Sequence, residues 1–355
     1  MSESSEEILF SAEGGVGHVL MNRPQALNAL TYDMCVAFRR QLAAWAEDPA
    51  IGCVVVEGAG DRAFCAGGDI RRLHDEGKAD GSYPRDFYGE EYLGNSAIHH
   101  FPKPYIALMD GIVMGGGVGW SVHGGHRVIT QKTLFAMPET GIGLFPDVGG
   151  SFFMPRLEGE LGMYLALTGA RLKAADTLAA GIGTIYVPQE RLPEVLAALR
   201  AAGPRSRAEV GDVLRGFGAF PGEAELPAWR ARIDRHFAHD SVEAILASLE
   251  GESDDWAQEV AKTLRTKSPT SLKVTFRQMR QGAKLDFDAC MRMEWRMVNE
   301  VMNNHDFYEG VRAVIIDKDQ KPAWKPATVE EVSKEAVDAY FAARPGDELP
   351  LGSAG

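Results

Sequence analysis

Only four cysteines, Cys35, Cys53, Cys65 and Cys290, occur in 355 residues, and none belongs to a CxxC pair. So sparse a set excludes a disulfide-stapled scaffold and fits free thiols in a reducing compartment. No apolar stretch approaches the ~18 residues that a membrane span requires, so no membrane partner is expected. Basic runs are missing too: 37 Lys and Arg against 50 Asp and Glu leave a formal net charge of −13. That disfavours a nucleic-acid partner, because neutralising phosphates takes a basic surface. The opening MSESSEEILF has neither a basic start nor an apolar core, so no secretory or Arg-rich transit signal is read there. A soluble cytoplasmic protein is expected. GxxxxGK[ST] is absent and no GxGxxG follows a strand, which sets aside the nucleotide folds built on those loops.

What is present is ordinary globular material, 45% hydrophobic and 25% charged, in a chain long enough for about two domains at roughly 150 residues each. Short Val- and Ile-rich strands are expected at 16–22, 51–57, 105–110, 127–130 and 134–137. Thr31 caps a helix over 32–47, where Met34, Phe38, Leu42 and Trp45 recur at spacings of three and four. A further helix ends near His100. Strand, helix, strand is the unit of an α/β protein. Beyond about residue 160 the pattern turns helical, at 160–168, 173–180, 191–202, 226–238, 240–250 and 254–266. Ser268-Pro269 then opens a helix to about Gln281, another covers 286–303, and the tail after Ala343 is expected to be loose. The expected division is a core over 1–205 that carries the chemistry and a mainly helical region over 206–355.

Eleven of the 39 glycines fall between Gly111 and Gly150. Two glycine-rich loops, FCAGGDI (64–70) and GIVMGGGVGW (111–120), each follow a buried strand and lead toward a helix. Such loops can aim free backbone N–H groups at one point, the makings of an oxyanion hole, or can merely permit close helix packing. MPETGIGLFPDVGG sets Glu139 and Asp147 in apolar surroundings that raise a carboxyl pKa and suit it to acid–base work. Asp147 is equally credible as a helix N-cap. GWSVH around Ser121 has His123 where a nucleophile elbow needs glycine, so a serine nucleophile is disfavoured. His123 and His126 stand three apart, but two glycines separate them and no Cys or carboxylate completes a ligand set; no metal is expected.

FCAGGDI, GGGVGW and MPETGIGLFPDVGG, with NRPQALNAL (22–30), EEY (90–92), KSPTSLKVTFRQM (267–279) and EGVRAVIIDKDQKPAWKP (309–326), resemble the crotonase (enoyl-CoA hydratase/isomerase) superfamily over residues 10–330. Within it the match is to the branch of 3-hydroxyisobutyryl-CoA hydrolases. The resemblance implies a crotonase-like spiral of ββα repeats followed by a helical C-terminal region, and an acyl-CoA substrate. By motif position, Gly68 and Gly116 hold the thioester oxygen. Hydratases carry one glutamate just after the GGG loop and another in the PE motif; here the second is Glu139, while the first falls at Gly119. The hydrolase branch instead has Asp147 and the Glu91 of EEY, which orient substrate hydroxyl and water or tune Glu139. Glu139 is nucleophile or general base, and Glu91 has the plainer reading of a solvated helix acid. Lys318, Lys321 and Lys325, or Arg71 and Arg72, are the candidates for the CoA phosphates.

The expected reaction is hydrolysis of 3-hydroxyisobutyryl-CoA, a step of valine breakdown in that branch, with no metal and no redox cofactor. An enoyl-CoA isomerase or hydratase and a non-catalytic CoA-binding scaffold are the rivals. Assembly stays open between a monomer and a homo-oligomer.

Overall fold

Strands alternate between two sheets as the chain advances, and this alternation organises the computed structural model, which describes residues 6–79, 81–344 and 346–351. The strands are β1 (Ile8–Glu13), β2 (Val16–Met21), β3 (Cys53–Gly58), β4 (Ala63–Cys65), β5 (Tyr105–Met109), β6 (Ile112–Met114), β7 (His126–Ile129), β8 (Leu134–Ala136), β9 (Leu172–Lys173) and β10 (Ile185–Tyr186). The larger sheet runs β1-β2-β3-β5-β7-β10 and the smaller β4-β6-β8-β9. Three successive pairs, β3/β4, β5/β6 and β7/β8, each give their first strand to the larger sheet and their second to the smaller. Pairing is parallel except at β1–β2 and β8–β9, which are antiparallel, with Val54 opposite Tyr105, Ile106 opposite His126 and Val113 opposite Phe135. This is the expected spiral of repeats. Parallel strands need both faces covered, and the wholly buried runs Cys53–Val56 and Tyr105–Met109 meet that requirement.

The strands expected at 16–22, 51–57, 105–110, 127–130 and 134–137 are β2, β3, β5, β7 and β8. Five others were not anticipated. β4 and β6 matter most, because segments read from sequence as pure loops each begin with a three-residue strand, too short to show a period. β1 did leave a trace: Gly14-Gly15, at φ 59° and 78°, is a two-residue hairpin turn.

The helices are α1 (Tyr32–Glu47), α2 (Ile70–Ala79), α3 (Ser82–His99), α4 (Gly116–Gly119), α5 (Gly150–Phe153), α6 (Leu161–Thr168), α7 (Ala174–Ala179), α8 (Leu192–Ala202) and α9 (Arg207–Arg215). They continue as α10 (Leu226–Phe237), α11 (Val242–Glu250), α12 (Asp255–Arg265), α13 (Pro269–Gly282), α14 (Phe287–Val301), α15 (His305–Val311) and α16 (Lys334–Phe341). Thr31 Oγ1 accepts the Met34 N–H at 3.3 Å and Ser268 Oγ that of Ser271 at 3.0 Å, so both expected caps form. The unanticipated α9 begins with a capping box, Ser206 to Glu209, that the sequence did display.

The chain groups into two compact units. The first comprises the chain up to Gly68, Leu93–Ala136 and Arg171–Pro227, and holds both sheets. Its core sets Val16, Val55, Ile106 and Val128 of the larger sheet against Val195 and Leu199 of α8 and Val210 and Leu214 of α9. The second comprises Asp69–Tyr92, Met137–Ala170 and Ala228–Gly355, and is helical. Around α14 it gathers Cys290, Met291, Trp295 and Val298, all buried. The expectation of a loose tail fails as far as Leu351. Arg344 pairs with Glu300, Asp347 with Arg85, and Glu348 with Arg296 at 2.7 Å, while Trp295 Nε1 donates to the Asp347 carbonyl at 3.0 Å. Partners 44 to 262 residues away in sequence hold it, which composition cannot reveal. Pro345 and residues 352–355 of that tail lie outside the described residues.

Candidate active site

In the first unit the two glycine-rich loops leave the smaller sheet side by side, because β4 and β6 are paired with Ala63 opposite Ile112. A Cβ built on Gly67 would lie 3.6 Å from the Met114 carbonyl oxygen and 3.7 Å from the Gly116 nitrogen, which measures how closely the loops run. Gly115 sits at φ 47°, ψ −124°, a conformation essentially confined to glycine. Gly116 opens α4, so its N–H is one that a helix leaves without an internal acceptor. Gly68 bridges Leu30 in parallel register, with Leu30 N–H donating to the Gly67 carbonyl at 2.8 Å. Parallel pairing sends the bonds to flanking residues, so the Gly68 N–H is directed away from Leu30. Among the described residues neither amide has an acceptor. The 22–30 segment braces this loop: Asn28 Nδ2 donates to the carbonyls of Ala59 at 2.9 Å and Ala63 at 2.8 Å, and Ala66 N–H donates to Leu27 at 3.0 Å. Ser121 Oγ donates back to the Gly117 carbonyl at 2.8 Å, closing α4 in the manner of a helix-end serine.

In the second unit Glu91, Glu139 and Asp147 come together. Helical spacing puts Tyr88, Glu91 and Tyr92 on one face of α3, and all three are at most 2% exposed. Glu91 is therefore no solvated helix acid. Tyr92 Oη donates to Asp147 Oδ2 at 2.9 Å. Glu139 opens a 3₁₀ turn, Glu139–Ile142, held by Ser268 N–H on the Thr140 carbonyl at 3.0 Å and by Thr140 Oγ1 on that of Leu167 at 3.1 Å. Burial raises the Glu139 pKa well above the usual carboxylate range and the charge of Asp147 adds to this, against a bond from its own amide and the nearby Lys267. Burial also raises Glu91, reinforced by Asp147, Glu139 and Glu294, and raises Asp147 against the Tyr92 hydrogen bond. Glu139 Oε2, Glu91 Oε1 and Tyr88 Oη are buried with no hydrogen-bond partner among the described residues. Such atoms cost free energy unless something outside the chain satisfies them. Asp147, pushed up to about 7, can exchange a proton near neutral pH, and the open oxygens of the cluster can position a polar ligand.

Asp147 is not a helix cap. The N-terminus of α5 is capped from a distance by Glu294 of α14, which accepts from Gly149 N at 2.8 Å, Ser151 N at 2.9 Å and Ser151 Oγ. That leaves the Asp147 carboxylate to Tyr92 and the cluster. Sequence reading missed Glu294 and Tyr92. An acid at position 294 among Cys290, Met291, Met297 and Val298 on the buried face of α14 was the available signal. Burial lifts Glu294 to about 8 from 4.5 although its three donors pull the other way. Between those two values the folded chain keeps a proton that the unfolded chain has released, so this group's contribution to stability falls as pH rises from about 4.5 to about 8. Glu294→Gln removes that slope. The stability of the variant relative to wild type should increase across the window and level off above it, as read from urea midpoints at pH 5 to 9. A constant difference would refute the assignment.

The candidates for the phosphates all lie in the second unit. Arg71 Nη2 donates to the Ile315 carbonyl at 3.1 Å, which brings the start of α2 beside the segment leading to Lys318. Arg72 lies over the Tyr83 ring at 4.1 Å. Lys318, Lys321 and Lys325 are exposed.

A family model described as enoyl-CoA hydratase/isomerase matches residues 16–341. The chain is similar to the mitochondrial 3-hydroxyisobutyryl-CoA hydrolase of Xenopus laevis, 47% identical over 97% of this chain and 90% of the relative. The Gallus gallus protein of the same name is 46% identical over 99% and 92%. Among solved structures, a carnitinyl-CoA dehydratase from Mycobacterium thermoresistibile superposes with a TM-score of 0.91, at 40% identity over 97% of this chain and 98% of that one. The relatives' mitochondrial names overturn the expected cytoplasmic placement. An acidic chain whose four cysteines form no disulfide suits more than one reducing compartment, so composition had no power to choose between them.

Proposed function

The chain belongs to the enoyl-CoA hydratase/isomerase family, and from that premise we propose that it hydrolyses the thioester of 3-hydroxyisobutyryl-CoA to 3-hydroxyisobutyrate and CoA, a step of valine breakdown. The observation that carries this reading is the carboxyl cluster. Glu139, 4% exposed with an orphaned Oε2, stands beside Asp147, while Gly119 leaves the other hydratase position without a carboxylate. Adding water across a double bond needs an acid and a base in register; cleaving a thioester needs one activated oxygen and a home for the oxyanion.

In the proposed course the N–H groups of Gly68 and Gly116 take the charge that develops on the thioester oxygen. Glu139 supplies the attack, through its own oxygen to give a mixed anhydride or through a water that it deprotonates. The C–S bond breaks, the CoA sulfur leaves as thiolate and takes up a proton, and water provides the second carboxylate oxygen of the product. Nothing is oxidised or reduced, and a carboxylate with water suffices for the balance. Asp147, fixed by Tyr92, modulates the ionisation of Glu139 by like-charge proximity.

Thiol release tests the proposal. Purified protein given 3-hydroxyisobutyryl-CoA should liberate one equivalent of free CoA per turnover. Hydration of an enoyl-CoA, or double-bond migration in a 3-enoyl-CoA, without thiol release would sink it.

A further inference from the structure

Two tyrosines one helical turn apart on α3 are treated differently by the fold. Tyr92, fully buried, spends its hydroxyl on Asp147 Oδ2 at 2.9 Å. Tyr88, 2% exposed, has a hydroxyl with no hydrogen-bond partner among the described residues. Its ring is packed between Phe87, edge-on at 5.4 Å between centroids, and Tyr92, tilted against it at 5.9 Å. Glu91, three residues on along the same helix face, likewise keeps a buried Oε1 without a partner. The charges of Asp147, Glu91 and Glu139 all act on the Tyr88 phenol, so it belongs to the same neighbourhood as the carboxyls.

A buried phenol and a buried carboxyl left open side by side match a ligand group that both donates and accepts. An acyl chain has no such group; a hydroxyl does. The thioester oxygen is already assigned to backbone amides, so the hydroxyl of the acyl moiety is the remaining polar atom for this pair. We propose that Tyr88, together with Glu91, reads the 3-hydroxyl of the substrate and makes the protein selective for 3-hydroxyacyl thioesters over their deoxy counterparts. The inference rests on the hydrolase reading above and names the residue that sets its specificity. A deoxy substrate leaves both polar atoms buried and unpaired, which is why sites of this kind discriminate more sharply than apolar ones.

The test compares 3-hydroxyisobutyryl-CoA with isobutyryl-CoA, by thiol release, in wild type and in Tyr88→Phe, which removes one oxygen and keeps the ring. The expected result is a fall of about 10- to 100-fold in kcat/KM on the hydroxyacyl thioester, the size of one buried hydrogen bond with its partner left unpaired. On isobutyryl-CoA the change should be under about threefold, so the preference for the hydroxyl collapses. Equal losses on both substrates would overturn the inference by making Tyr88 a general structural or water-holding group. Unchanged selectivity would overturn it as well. Should Tyr88→Phe fail to fold, Tyr88→Leu is read in the same way. Absence of thiol release by the wild type from 3-hydroxyisobutyryl-CoA is the separate result that condemns the hydrolase reading itself.

Discussion

Glu139→Gln lowers kcat on 3-hydroxyisobutyryl-CoA by about three orders of magnitude, within the roughly 10²–10⁴ that a positioned acid–base group contributes, and leaves CoA binding intact. The amide has the carboxylate's shape, so the 3₁₀ turn it opens, tied to Ser268 and Leu167 through Thr140, has no cause to move. What disappears is the ionisable oxygen that the proposed reaction draws on, in a carboxyl 4% exposed with a bare Oε2. The variant should be no less stable than wild type near neutral pH, because the raised pKa marks the ionised carboxyl as costly to the fold. Turnover by thiol release, CoA affinity by calorimetry and the urea midpoint are the three readouts. Turnover within a few fold of wild type would remove Glu139 from the chemistry, and loss of CoA binding together with the midpoint would show that the substitution reports only on folding.

Gly117→Ala is expected to cost about 10²- to 10³-fold in kcat, comparable to removing one oxyanion donor, although Gly117 donates nothing itself. Its Cβ would lie 2.2 Å from the Cys65 carbonyl oxygen and 2.9 Å from the Cys65 carbonyl carbon. Cys65 ends β4 and is paired to β6 opposite Val113, so the obstacle is sheet backbone and cannot turn aside as a side chain would. The strain has to be relieved in the two loops that carry Gly68 and Gly116. Overpacking of this kind typically destabilises by about 1–3 kcal/mol, so the melting temperature should drop as well. The assay is therefore run well below the variant's transition, with folded content checked by circular dichroism. Wild-type kcat in a folded variant would mean that these loops tolerate displacement, and the proposed oxyanion role of their amides would fall with it.

How much of this was legible in advance depended on the range of the interaction responsible. The cap of Thr31 on α1, that of Ser268 on α13 and the buried runs of β3 and β5 follow from residues within a few positions of each other, and they stand where the sequence puts them. Three-residue strands such as β4 and β6 have no periodicity to read and exist because they pair with each other across about fifty residues. The motifs FCAGGDI, GGGVGW and MPETGIGLFPDVGG carried the family resemblance, which implied Gly68 and Gly116 by motif position, while Glu139 and Asp147 stood out as isolated acids in apolar surroundings, which local composition does display. Tertiary structure decided the state of those groups. It gave Asp147 to Tyr92 instead of to a helix end, assigned the capping of α5 to Glu294 from 145 residues away, and left Tyr88 Oη and Glu91 Oε1 buried on one face of α3 with no hydrogen-bond partner among the described residues. Sequence alone thus determined which chemical groups and which repeating architecture this chain has. Which groups are buried, paired or left open was decided only by long-range packing, because desolvation depends on every element that surrounds a side chain.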